Sequence, residues 1–67
     1  MTVEERVAAR LKKSGVTKAA LCRMTGISPG VLYPSMSGNR ELRADEFLAI
    51  CQALRLDPRE VAGQISA

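Results

Sequence analysis

Apolar residues recur along this chain at intervals of three and four, and no stretch alternates apolar with polar for long enough to make a strand. Val3, Val7 and Leu11 set the first such stripe. Thr2 and Glu5 have the spacing of a capping box, Lys12 and Lys13 complement the helix dipole, and Gly15 suits the stop, which predicts a helix over 3–13. Thr17 caps a second helix ending near Thr25, anchored by Leu21, with Ala20 and Cys22 slim enough for close approach. Gly26 is free to take the positive φ that ends a helix and turns the chain. Ser28 then caps a third helix with Pro29 at its first position, and Val31 and Leu32 supply its inner face. Only Gly26 and Ile27 remain between the two, so they are predicted to cross nearly at right angles.

Pro34 interrupts the pattern. Six positions into the third helix it removes an amide donor and crowds the carbonyl of Gly30, at a cost of about 3 kcal/mol in a regular interior. The third helix is therefore expected to be short or to loosen near Tyr33, and residues 35–40 to form a loop turning at Gly38 and Asn39. A fourth helix is predicted over 44–54 with Phe47, Leu48, Ile50, Cys51 and Leu54 inward. Asp57, Pro58 and Glu60 signal the start of a fifth, running to about Ile65 with Val61 and Ile65 as its apolar positions. The expected fold is all-α, five short helices in one domain over 1–67, without repeats or linkers.

Composition narrows what such a bundle can do. A chain of 67 residues builds only a small core, which favours a tight helical arrangement or self-association. Tyr33 and Phe47 are the only aromatics, so the core is aliphatic and no stacking platform for single strands is available. Residues 6–43 hold eight basic side chains against Glu41 alone, whereas the remainder is net acidic. That asymmetry fits one face turned to a polyanion, although scattered surface charge also produces it. No apolar run approaches the roughly 18 residues of a membrane span, and the first residues lack the apolar centre of a signal peptide, so a cytoplasmic protein is expected. Cys22 and Cys51 without any His make a poor metal site and read as small packing residues. No catalytic residues, metal, cofactor or small-molecule substrate are expected, because neither Ser28 nor the thiols have an obvious base.

The stretch from Thr17 to Arg40 carries the most information, because two short capped helices across a glycine turn place one over a duplex backbone and the next in its major groove. From its residues the helix-turn-helix covers about 17–36. The chain resembles the lambda-repressor-like (Cro/repressor, XRE-type) DNA-binding domain over nearly its full length. The family pattern of threonine, glutamine, two variable residues, leucine, alanine, three more, glycine, a hydrophobe and serine appears here as Thr17, Lys18, Leu21, Cys22, Gly26, Ile27 and Ser28. The glycine and basic loop after the recognition helix appear as Gly38, Asn39 and Arg40, and the leucine-rich fourth helix as Phe47, Leu48, Ile50, Cys51, Ala53 and Leu54. Cys22 and Cys51 stand where the family usually has alanine.

The resemblance implies a recognition helix from Ser28 to about Ser35 and a sequence-specific regulator of transcription acting on double-stranded DNA. A phage or prophage repressor of the Cro or immunity type, working in a bacterial cytoplasm, is the form expected. Where related repressors often read bases with polar side chains, this chain has Pro29, Gly30 and Pro34, none of which can make a bidentate base contact. Tyr33 is left as the main candidate for base or phosphate, with Val31 either core or an edge against a thymine methyl. Thr17 and Lys18 are expected at a phosphate or neighbouring base, and Asn39, Arg40 and Arg43 as backbone clamps. Arg40 and Arg43 have the alternative of local pairing with Glu41, Asp45 or Glu46. Arg23 reads equally as a flanking phosphate contact or a solvated side chain, while Arg6 and Arg10 are expected to face solvent. A single module of this size suggests two copies on a near-palindromic operator, for which Val61 and Ile65 offer a seam that closes the monomer's own core equally well. The competing reading is a protein-interaction module on the same scaffold, antitoxin-like or anti-repressor, for which the prolines and glycine of the third helix speak.

Overall fold

Five helices follow one another in a computed structural model that describes residues 2–62: α1 (Val3–Ser14), α2 (Lys18–Thr25), α3 (Pro29–Met36), α4 (Ala44–Leu54) and α5 (Pro58–Ala62). No strand occurs among the described residues, and the all-α expectation holds. Both halves of the first capping box form, with the Thr2 hydroxyl accepting the Glu5 N–H at 3.1 Å and Glu5 accepting the Thr2 N–H at 2.8 Å. Gly15 and Gly26 close α1 and α2 at φ 80 and 78, the left-handed region where a Cβ would be strained.

The centre of the molecule is built from Val7, Leu11, Leu21, Cys22, Leu32, Met36, Ile50, Cys51 and Val61, so every helix contributes to one core. α1 packs on α3 and α5, and α2 on α3 and α4, and among the described residues Pro29, Gly30 and Tyr33 of α3 stay exposed. Cys22 and Cys51 are buried free thiols inside this core, in keeping with their reading as packing residues. No helix among the described residues is long and apolar enough to cross a membrane.

Three local expectations need correction. Leu48 is 53% exposed instead of inward. Phe47, Ile50, Cys51 and Leu54 lie on one stripe, from whose first member Leu48 is turned by about 100°. α3 does not loosen at Tyr33 but continues through Pro34 to Met36. The carbonyl that Pro34 leaves without a donor belongs to Gly30, an exposed residue at which solvent can substitute. The helix then ends in a Schellman closure, with the Gly38 N–H on the Ser35 carbonyl at 3.2 Å and the Asn39 N–H on Pro34 at 2.9 Å. Ser28 stands at the N-cap of α3 without a side-chain cap bond, because the Val31 N–H goes to the carbonyl of Ser28 at 3.0 Å. Asp57 caps α5 through the Arg59 N–H at 2.9 Å, a bond that holds its carboxyl below the usual range. Ile65, expected at the end of that helix and in the dimer seam, lies outside the described residues.

Candidate nucleic-acid interface

The sequence-predicted residues lie at two helix starts and one loop, and one contact joins the first two of these. At the head of α2, Thr17 spends its oxygen on the Ala20 N–H at 3.0 Å, which fixes the N-cap and leaves Lys18 exposed at the first helical position. The Lys18 ammonium lies 5.5 Å from the centroid of the Tyr33 ring, within cation–π range. This contact joins the start of α2 to the outer face of α3. Sequence reasoning had both residues as separate candidates. Fifteen positions and a turn separate them, so no periodicity could have paired them.

On α3, Ser28, Pro29 and Gly30 are exposed, Val31 is half-buried, and Tyr33 keeps 41% of its surface. A side chain at Gly30 would meet nothing within 4 Å, and the residue is not in the left-handed region. Neither the packing nor the backbone of this protein therefore requires a glycine there. Leu32, Ser35 and Met36 turn inward, a stripe at the third and fourth positions from Leu32. Ser35 escaped the sequence reading because the segment after Pro34 was expected to be loop. Extending the helical period across the proline would have found it.

Beyond α3, Gly38 and Asn39 are exposed in the turn, and Arg43 keeps 72% of its side-chain surface. Its pairing with Asp45, at 3.4 Å and with that carboxylate equally open to solvent, is the kind of surface contact that contributes little. Arg40 differs. It makes a bidentate pair with Glu46, at 2.9 and 3.2 Å, and donates a further bond to the hydroxyl of Ser35 at 3.2 Å. Of the three acids weighed as local partners, Glu46 is the one it meets. That carboxylate also accepts the Arg43 N–H at 2.9 Å, and Arg40 first, then this amide, hold its pKa below the ordinary value. The loop is fixed from its other side by Glu4 of α1, which accepts the Leu42 N–H at 2.7 Å.

Arg23 is exposed in the last turn of α2, Arg10 is exposed on α1, and Arg6 is half-buried, so the expectation that Arg6 faces solvent holds only in part. Among the described residues no three potential metal ligands come together. The exposed part of α3 thus carries Pro29, Gly30 and the hydroxyls of Ser28 and Tyr33, with Lys18 against the Tyr33 ring, and Asn39 and Arg43 are exposed in the segment that follows. An exposed helix face with basic residues near it is the kind of surface that enters a groove and contacts phosphates.

The family model of the Cro/C1-type helix-turn-helix DNA-binding domain matches residues 6–65 of the chain. Among solved structures, the chain is similar to the P22 c2 repressor, crystallised in complex with a synthetic operator. The two share 28% identity with a TM-score of 0.79, over 94% of this chain and 96% of that one. A search of curated proteins finds no match.

Proposed function

Because the chain belongs to the Cro/C1-type helix-turn-helix DNA-binding domain family, we propose that it is a sequence-specific transcriptional regulator, a phage or prophage repressor of the Cro or immunity type. It occupies an operator with α3 in the major groove and excludes polymerase from the site. The observation that carries this reading is the exposure of Ser28, Pro29, Gly30 and Tyr33 on α3 with Lys18 over the Tyr33 ring. Tyr33 and Ser28 reach base edges or phosphates through their hydroxyls, and the exposed edge of Val31 meets thymine methyls. Thr17, Lys18, Asn39 and Arg43 hold the backbone. With so few hydrogen-bonding side chains on α3, sequence preference rests largely on apolar contact and on the shape of the duplex. One domain of this size covers a half-site, and two copies on a near-palindromic site give the affinity an operator needs.

The poverty of that helix face also favours a second reading, in which the same face binds a protein. The salt dependence of binding separates the two, because neutralised phosphates release counterions. For a duplex selected by the protein from a randomised pool, affinity is expected to fall steeply with salt. Lys18→Ala and Arg43→Ala each flatten the slope by about one unit. A shallow slope, or slopes that both substitutions leave alone, would instead favour the protein partner.

A further inference from the structure

Arg40 stands in the basic loop, where a phosphate contact was expected, yet its guanidinium is turned inward. We propose that Arg40 is a positioning residue: clamped on Glu46, it holds the second half of α3 through Ser35 and makes no phosphate contact of its own. The inference rests on the DNA-binding reading above and concerns how that site is kept in shape.

Four observations carry it. Pro34 deletes a helical hydrogen bond in the middle of α3, so the next turn lacks one of the bonds that would tie it to the first. Ser35, the adjoining residue, is fully buried, and its hydroxyl donates to the Val31 carbonyl at 3.0 Å while accepting from Arg40 at 3.2 Å. Arg40 thereby reaches across the proline to a carbonyl in the first half of the helix by way of one side chain. Its other bonds go to both oxygens of Glu46, so the guanidinium joins α3 to α4. Glu46 in turn accepts the N–H of Arg43, which brings the entry to α4 into the same junction.

Exposure separates the two arginines of this segment. The Arg40 side chain keeps 31% of its surface and Glu46 only 14%, against 72% for Arg43. Swinging Arg40 out to a phosphate would take a bidentate cation from a shielded carboxylate and a side-chain donor from a buried hydroxyl. A planar fork in this position is not interchangeable with a lysine, whose ammonium cannot span Ser35 and both carboxylate oxygens at once.

The double variant Arg40→Gln with Glu46→Gln removes the junction while leaving the net charge of the protein unchanged. Binding is measured over a range of salt, on the duplex selected by the wild-type chain and on a random duplex. The temperature is one at which circular dichroism shows each variant folded. The expected result is a salt slope equal to that of the wild type, with discrimination between the two duplexes reduced about tenfold, the size of one lost base contact. Arg40→Lys keeps the charge without the fork and is expected to lose discrimination in the same way, which covers the case of a double variant that does not fold. A slope that falls by about one unit in the double variant, with Arg40→Lys behaving as the wild type, would make Arg40 a phosphate contact and overturn the proposal. Unchanged discrimination in the folded variants would also overturn it, since the junction would then serve stability alone. Failure of the wild-type chain to enrich any duplex sequence sinks the functional reading instead, and that is seen before any variant is made.

Discussion

Arg55 is the one non-glycine residue among those described with a positive φ, at 57, and it closes α4 where α1, α2 and the turn after α3 use glycine. The Leu56 N–H caps the Cys51 carbonyl at 2.8 Å, and Leu56 packs on the core, so the strained backbone is held in place by its C-terminal neighbour. A glycine relieves the Cβ penalty at the expense of a more flexible unfolded chain, and the first effect is the larger. Arg55→Gly is therefore expected to stabilise the protein by about 0.5–1 kcal/mol, read as a higher midpoint in chemical denaturation. A lower midpoint would mean that the arginine side chain makes a contact of its own. At this scale the sequence announces residues whose role is local. Thr2, Thr17, Gly15 and Gly26 act on neighbours three or four positions away, and the structure has them as the spacing implied. Ser28 was misjudged because two acceptors of one residue compete for the same amide, and the carbonyl takes it. Arg40 had four readings, a phosphate and three acids. The choice of Glu46 is made by the relative placement of α3 and α4, which no spacing encodes.

α3 combines features that work against a helix: a glycine at the second position, a proline at the sixth, no side-chain cap, and no charged residue in either end turn. Its bounds derive from its contacts, with Leu32, Ser35 and Met36 buried on one side and the Schellman closure at Gly38. The sequence reading places α1, α2, α4 and the starts of α3 and α5 to within a residue. It erred where local rules and packing conflict, treating the segment after Pro34 as loop and counting Leu48 into the core stripe. Gly30 is the element's informative weakness, since open space surrounds the position where a Cβ would stand. Gly30→Ala is expected to raise the thermal midpoint, by up to about 1 kcal/mol of helix propensity. In the proposed complex a methyl group there would stand between the backbone and the groove, so affinity for the selected duplex should fall while affinity for random duplex hardly changes. Retained affinity in the stabilised variant would show that the helix does not approach DNA closely at this point.

Among the described residues, nine buried apolar side chains spread over five helices make a core in which every element depends on the others. A single core in a chain of 67 residues rarely supplies more than about 3–5 kcal/mol of net stability. Ile50 is fully buried at the middle of α4, out of reach of any ligand at the surface, and truncating such a side chain to alanine costs about 2–5 kcal/mol. The two quantities are of the same size, so Ile50→Ala is expected to be largely unfolded on its own at room temperature. Binding of DNA to the folded form alone draws the equilibrium back, by about 2.7 kcal/mol at a ligand concentration a hundred times the dissociation constant. Helical circular dichroism of Ile50→Ala should therefore recover when the selected duplex is added, and recover less with random duplex at the same concentration. The duplex adds no contact at Ile50, so recovery can come only through linkage to the surface around α3. If the helix signal is full without DNA, the core is more robust than its size implies. If it stays low at saturating duplex, the folded domain and the DNA-binding species are not the same state.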